Sequence, residues 1–247
     1  FATLDHLVAD APVEQWKPYL RFHVASAMAP FLSRPFRDAE FEFHGRVLRG
    51  DAAQAGHADH VLDAINKVAG PLLAQEYVAA HLPAATRERA GVVAAGVRDA
   101  LVQAVARSEW MAPATKAEAG RKLQALHIEV GAPAWDHDGI LPQTSRDSFG
   151  ANVLAASAWR HAREMDRIGQ PGAAHHWDVL PQQPALAYDL ARNQLVVTAA
   201  VLQPPVLDMS ADPASHFGSL GALVGHELGR SVDIVGRQVD ADGNFRD

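Results

Sequence analysis

Apolar residues recur at three- and four-residue spacings through the first half of this chain, and that spacing is typical of amphipathic α-helices. Two stretches carry it most clearly, one with Trp16, Leu20, Val24, Met28 and Phe31 and the other with Val93, Val97, Leu101 and Val105. Pro113 stands where a proline suits the first turn of a helix, which predicts a short helix ending near Leu126. The first half is therefore predicted to be mostly helical.

The pattern changes after residues 131–142, where prolines and glycines predict a loop or a domain boundary. A helix is predicted from Ser145 to about Gly169, and Leu195–Thr198 is a short β-rich run. Gly218 to about Val235 is predicted to be one buried helix. The whole pattern predicts a mainly α fold with a small β-sheet.

Composition excludes several classes of protein. The 247 residues are 48% hydrophobic and 21% charged, as in an ordinary globular protein. The net charge of −7 and the lack of a basic run argue against binding to nucleic acid. Without cysteine, neither disulfides nor zinc–thiolate sites can form. No apolar run approaches the ~20 residues that span a bilayer, so no membrane span is predicted.

The segment from Gly225 to Asp233 carries the clearest chemical pattern. His226-Glu227 begins like HExxH, a helical motif in which two histidines one turn apart bind zinc while the glutamate polarises water. In this chain Arg230 stands at the position of the second histidine. A guanidinium stays protonated and has no lone pair to give, so it cannot bind zinc.

Further strings surround this motif in a fixed order: Leu202-Gln203-Pro204-Pro205, Phe217-Gly218, Gly236-Arg237, Asp240-Ala241-Asp242-Gly243-Asn244 and, upstream, Trp110-Met111, Pro113-Ala114-Thr115-Lys116 and Asn152-Val153-Leu154. With them the chain resembles the neprilysin and endothelin-converting-enzyme family of zinc metallopeptidases, including its bacterial oligoendopeptidase-like members. The resemblance implies a helical domain over residues 1–135. It also implies the first part of a zincin-like (thermolysin-like) catalytic domain over 136–247, with the C-terminal part absent from this chain.

The resemblance also assigns roles to residues of this chain. His226 matches the first zinc ligand and Glu227 the general base, while Asp233 matches an acidic residue that supports the zinc site. The family's substrate-binding Asn-Ala pair falls on Ala185 and Leu186, and alanine has no side-chain amide to offer. The family's third ligand, a glutamate on a later helix, has no counterpart here. Zinc is thus the family's cofactor, but this chain alone is not expected to bind it.

Three functions are compatible with these departures. The chain is predicted to be a peptidase homologue that is inactive as written, retained to bind peptides or as a scaffold. Alternatively it is a zinc endopeptidase completed by a continuation or by a partner chain, or a remnant without a selected activity. A structural interpretation is also open, in which Arg230 pairs with Glu227 or Asp233 and His226 is a hydrogen-bonded core residue.

Partners and location are implied by the family alone. A peptide is the expected ligand, and a second chain or a second copy is expected to cover the apolar faces of the catalytic part. A periplasmic, secreted or membrane-tethered location is implied. The remaining histidine pairs, His57 with His60 and His175 with His176, are interpreted as surface residues rather than metal ligands.

Overall fold

The computed structural model describes residues 2–134, 143–169 and 177–246. The helices of its N-terminal part are α1 (Ala2–Asp10), α2 (Val13–Met28), α3 (Arg34–Glu40) and α4 (His57–His81), with a 3₁₀ turn at Ala29–Phe31 and a π-helical segment at Phe41–Arg49. The helices that follow are α5 (Ala84–Arg107), α6 (Pro113–Gln124), α7 (Phe149–Asp166), α8 (Pro213–Gly218) and α9 (Leu220–Gly229), with a 3₁₀ turn at Gly236–Gln238. The strands are β1 (His127–Gly131), β2 (Leu186–Asp189) and β3 (Gln194–Thr198). The predicted fold class, mainly α with a small sheet, is confirmed.

One compact unit contains residues 2–69 and 143–166. The ring of Phe31 lies 6.2 Å from that of Phe149 and 6.1 Å from that of His60, so aromatic contacts join the 3₁₀ turn to α7 and α4. Arg160 of α7 also donates a hydrogen bond to the carbonyl of Lys67. No residue of α1 or α2 is buried among the described residues.

The second compact unit contains the sheet and, within the described ranges, residues 70–134, 167–169 and 177–246. The strand order is β1-β3-β2, with β1 parallel and β2 antiparallel to β3. All five residues of β3 are buried, because it is the central strand. This strand confirms the one predicted at Leu195–Thr198. β2 lies at the edge of the sheet and is therefore open to another strand.

The core of this unit lies between the sheet and helices α5 and α9. Its members with no exposed surface are Val93 of α5, Leu195 of β3, and Leu220, Val224 and Leu228 of α9. The apolar stripe predicted on α5 thus contributes to the core, with Val97 and Leu101 packed against its margin. No helix in the described part of the chain is long and apolar enough to cross a membrane.

The helix predicted from Gly218 to about Val235 is shorter in the structure. Ser219 leaves helical geometry (φ −95°, ψ −84°) and separates α8 from α9, which ends at Gly229. Beyond it, the Asp233 carboxylate accepts hydrogen bonds from the backbone N–H groups of Val235 and Gly236 at 2.9 and 2.8 Å. These bonds form a turn that competes with further helix. Arg230 consequently caps the helix, and Asp233 lies outside it.

The predicted loop at residues 131–142 falls mostly outside the described residues. The domain boundary expected near residue 135 also lies there, and it stays a prediction. The helix predicted from Ser145 to about Gly169 is α7, and Pro113 lies in the first turn of α6 as expected.

Candidate functional site

An apolar cleft opens between the edge strand and α9. Its volume is about 290 Å³, and its walls come from β2, α9 and residues 200–206. The apolar lining consists of Pro184, Leu186, Ala200, Val201, Pro204, Pro205, Val206 and Leu223. Gln203, His226 and Glu227 supply the polar groups. Apolar walls with a few polar groups on one side are typical of a site for an organic ligand.

Glu227 connects the helix to the edge strand. Its Oε2 atom accepts a hydrogen bond from the backbone N–H of Tyr188 at 3.0 Å. Ala185, the residue before β2, instead faces the central strand, where its carbonyl accepts a hydrogen bond from the Thr198 N–H at 3.0 Å. Because alternate residues of a strand face opposite edges, Leu186 and Tyr188 present their backbone groups to the open side, where the cleft lies.

Arg230 contacts the same oxygen of the Glu227 carboxylate. Its Nη1 atom lies 3.3 Å from Oε2 of Glu227, and 54% of the Arg230 side chain is exposed against 12% for Glu227. The pairing of Arg230 with Glu227 that the sequence left open is therefore present. The Arg230 charge is also one of the smaller causes that lower the pKa of Asp233, behind that carboxylate's hydrogen bonds to Gly236 and Val235.

These side chains do not fit a zinc ion. Within residues 2–134, 143–169 and 177–246 there is no group of three or more His, Cys, Asp or Glu side chains able to hold a metal. Of the HExxH-like motif, only His226 has a side chain able to bind zinc at a position where the resemblance predicts a ligand, and Arg230 brings a cation to within hydrogen-bonding distance of Glu227. The positive charge of Arg230 next to Glu227 would repel a divalent cation bound there.

The predicted site residues separate into two sets. Leu186, His226 and Glu227 line the cleft together. Ala185 and Asp233 do not line it. The backbone N–H of Ala185 donates to Oγ1 of Thr198 at 2.9 Å, and Asp233 is engaged in the turn after α9. The catalytic roles assigned to Glu227 and Asp233 by the resemblance remain predictions.

A buried polar network around Tyr188 was not predicted from the sequence. The Tyr188 hydroxyl donates to Oδ1 of Asn193 at 2.8 Å, and Nδ2 of Asn193 donates to the Lys122 carbonyl at 2.9 Å. Burial raises the pKa of Tyr188, so its hydroxyl remains a donor. The Lys122 ammonium in turn donates to the carbonyls of Gly236 and Val239, at 2.7 and 2.6 Å.

This network joins β2, α6 and the turn after α9 through side chains that are almost entirely buried. In the sequence, Lys122 is only a lysine beside Leu123 on a predicted short helix. That pattern does not distinguish a buried lysine from an exposed one. The network could be found only once the chain was folded.

Of the other histidine pairs, His175 and His176 lie outside the described residues. His57 and His60 belong to the first turn of α4, and the His60 ring packs against Phe31. No metal-binding group that includes them is present in the described part of the chain.

Comparison with known proteins places this geometry among peptidases. Two family profiles, both described as peptidase family M13, match residues 1–133 and 187–247. Endothelin-converting enzyme-like 1 of Mus musculus is 28% identical over 98% of this chain and 32% of its own length. Neprilysin-11 of Caenorhabditis elegans is 24% identical over 92% of this chain and 28% of its own length. The chain thus spans about a third of the length of these relatives.

Solved structures of peptidases are also similar to this chain. The zinc metalloprotease Zmp1 of Mycobacterium tuberculosis, in complex with an inhibitor, superposes with a TM-score of 0.87 and is 31% identical. That match covers 99% of this chain and 37% of the Zmp1 chain. PepO of Lactobacillus rhamnosis superposes with a TM-score of 0.80 at 25% identity, over 90% of this chain and 35% of its own.

Proposed function

Since this chain belongs to peptidase family M13, we propose that it binds peptides in the cleft beside α9 without hydrolysing them by zinc catalysis. The observation that carries the proposal is the contact of 3.3 Å between Arg230 and Glu227. It pairs the residue at the general-base position with a permanently charged side chain at the position of a zinc ligand.

This pairing opposes catalysis in two ways. A catalytic zinc needs three protein ligands and a water, and a guanidinium cannot be one of them. A general base must also be free to contact the water that it deprotonates, and Arg230 contacts the oxygen of Glu227 that already accepts the Tyr188 N–H. Both effects act on the same pair of side chains.

Peptide binding is supported by features that do not need a metal. Leu186 directs its backbone groups to the open edge of the sheet, where an extended peptide can add as a further strand, whereas the Tyr188 N–H is already bonded to Glu227. The cleft next to that edge can take an apolar side chain. Ala185 lacks the side-chain amide that the family's asparagine would supply, so the backbone edge and the cleft must provide the affinity.

A second candidate function is a zinc endopeptidase whose missing ligands come from another chain or from a continuation. It is favoured by the retention of His226 and Glu227 side by side in the lining of the cleft. It requires Arg230 to turn away from Glu227, which the exposure of its side chain permits. A remnant without a selected activity is the third possibility, and poor solubility of the chain would favour it.

Zinc content separates these functions. The protein is dialysed against micromolar zinc and analysed for metal beside His226→Ala, and all samples are tested on an internally quenched peptide. We expect no stoichiometric zinc and no cleavage in either protein. Stoichiometric zinc that disappears in His226→Ala would contradict the proposal and favour the second function.

A partner that covers exposed apolar side chains of α8, of α9 and of the turn after α9 is also part of the proposal. Phe217, Leu223 and Ile234 are 42%, 45% and 76% exposed. A second chain or a second copy would remove this surface from water. Light scattering after size-exclusion chromatography tests it, and a well-folded monomer at all concentrations would argue against it.

By analogy with the family we propose an extracytoplasmic location, whether periplasmic, secreted or membrane-tethered. Fractionation of the producing cells with an antibody to the protein tests this location. Recovery in the cytoplasm alone would contradict it.

A further inference from the structure

We propose that Arg230 is a carboxylate-binding residue, so that the cleft selects peptides that end in an apolar residue with a free terminal carboxylate. This inference rests on the proposed function, because it specifies which peptides the site takes. It concerns the guanidinium that this chain has at a metal-ligand position.

The first argument is that Glu227 does not depend on Arg230. The Tyr188 N–H already donates to Oε2 of Glu227 at 3.0 Å, whereas the Arg230 contact to that atom is longer, at 3.3 Å, and uses one nitrogen. An exposed ion pair with a single long contact is weak. Arg230 can therefore engage a second anion without leaving Glu227 unpaired.

The second argument is the shape of the guanidinium. Its five N–H donors form a planar fork, and only Nη1 contacts a protein acceptor within the residues that the structure describes. The Nε–Nη2 edge is thus available. That edge matches the two oxygens of a carboxylate, whereas a single peptide carbonyl engages only one of its two donors.

The third argument is position. Glu227 lines the apolar cleft, and Arg230 is one helical turn away and within hydrogen-bonding distance of it. A ligand whose apolar side chain enters the cleft can therefore bring a backbone end group to the guanidinium. The guanidinium would then lie between the ligand carboxylate and Glu227 and offset their repulsion.

The surrounding charges do not compete for the same ligand. Asp233 is engaged by the backbone N–H groups of Val235 and Gly236. Lys122 is 3% exposed and donates to two carbonyls, so it cannot reach a ligand in the cleft. Among the described residues, no Lys or Arg lines the cleft, and Arg230 is an exposed cation that contacts one of its lining residues, Glu227.

The test compares two fluorescein-labelled pentapeptides that end in leucine, one with a free carboxylate and the other with a carboxamide. Binding is measured by fluorescence anisotropy. For the natural protein we expect the free acid to bind about tenfold more tightly, because that ratio corresponds to the free energy of one charge-assisted hydrogen bond. Added salt should reduce this preference, because a half-exposed ion pair is screened.

Three variants identify the residue responsible. Arg230→Gln should abolish the preference for the acid, and Arg230→Lys should keep part of it, since lysine keeps the charge but not the fork. Arg237→Gln removes the same charge at an exposed position that does not line the cleft and should leave the preference unchanged. Circular dichroism establishes that each variant is folded, and the acid–amide comparison on the natural protein does not depend on any variant.

The outcomes are distinguishable. Equal binding of acid and amide would overturn this inference and leave the proposed function intact. A preference that survives in Arg230→Gln would also overturn it, since another cation would then bind the carboxylate. If neither peptide binds, the proposed function and the inference both fail.

Discussion

The ammonium of Lys122 donates a hydrogen bond to the backbone carbonyl of Gly236 at 2.7 Å, which joins α6 to the turn after α9. A second bond from the same Nζ atom reaches the Val239 carbonyl at 2.6 Å. Lys122 is 3% exposed, and its burial lowers its pKa. One buried cation thus holds the segment that follows Arg230.

Lys122→Met should reduce the free energy of unfolding by about 2–4 kcal/mol, because two buried carbonyls lose their donor. Urea unfolding followed by circular dichroism measures the change. Lys116→Met serves as the control on the same helix, because Lys116 is only partly buried and loses one hydrogen bond, of 3.3 Å to the Ala106 carbonyl, so stability should change by about 1 kcal/mol or less. Equal effects of the two substitutions would contradict a structural role for the buried ammonium.

Gly236→Ala should disrupt the turn after α9. A Cβ at this position would approach the carbonyl carbon of Ser231 to 2.5 Å and would also overlap the carbonyl oxygen of Arg230. We expect a loss of more than about 2 kcal/mol, since backbone must move to admit the methyl group.

Gly229→Ala is the matched control for that substitution. No atom lies within 4 Å of a Cβ built at Gly229, which is the last residue of α9. Alanine there should leave stability unchanged or raise it by up to about 1 kcal/mol, because glycine is a poor helix former. Thermal denaturation of both variants makes the comparison, and a destabilised Gly229→Ala would argue against the packing described.

Tyr188→Phe and Asn193→Ala should destabilise the protein to different extents. Tyr188→Phe removes one hydrogen bond, that to Asn193, and should cost about 1 kcal/mol. Asn193→Ala removes the bonds to Tyr188 and to the Lys122 carbonyl, and places alanine at φ 47°, so it should cost about 2–4 kcal/mol. Urea unfolding measures both, and a larger loss for Tyr188→Phe would contradict the central position of Asn193.

Acid should destabilise the second compact unit partly through Asp240. The pKa of the Asp240 carboxyl is lowered chiefly by a hydrogen bond from the backbone N–H of Asn244. Hydrogen bonds from the backbone N–H of Asp242 and from the Arg246 side chain lower it further. A carboxyl whose pKa is lower in the folded state stabilises the fold above its unfolded pKa of 3.8 and loses that contribution as the pH falls through the folded value. Stability should therefore decrease below about pH 4 for this reason.

Asp240→Asn tests this assignment because the amide oxygen can still accept the backbone hydrogen bonds but does not titrate. Urea unfolding at pH 7, 5, 4 and 3 should show a shallower loss at the acidic end for the variant than for the natural protein. If the free energy of unfolding fell equally with pH in both proteins, other carboxyls, such as Asp208 or Asp233, would account for the acid sensitivity.

Much of the local structure followed from the sequence because it depends on local chemistry. Pro113 marked the start of α6, and the periodicity through Val93 and Val97 marked the face of α5 that contributes to the core. The end of α9 could not be predicted in this way. Apolar residues continue to Val235, yet the Asp233 carboxylate and the tight packing at Gly236 end the helix at Gly229.

The sequence by itself determined the family pattern, the mainly helical composition and the chemistry of the altered motif, because a guanidinium cannot bind zinc in any fold. Only the tertiary structure decided what Arg230 contacts, which residues line the cleft and that Lys122 is buried. These features depend on segments far apart in the chain, such as Tyr188 and Glu227, whose distance is set by the packing of the sheet against α9. Local periodicity contains no information about such distances.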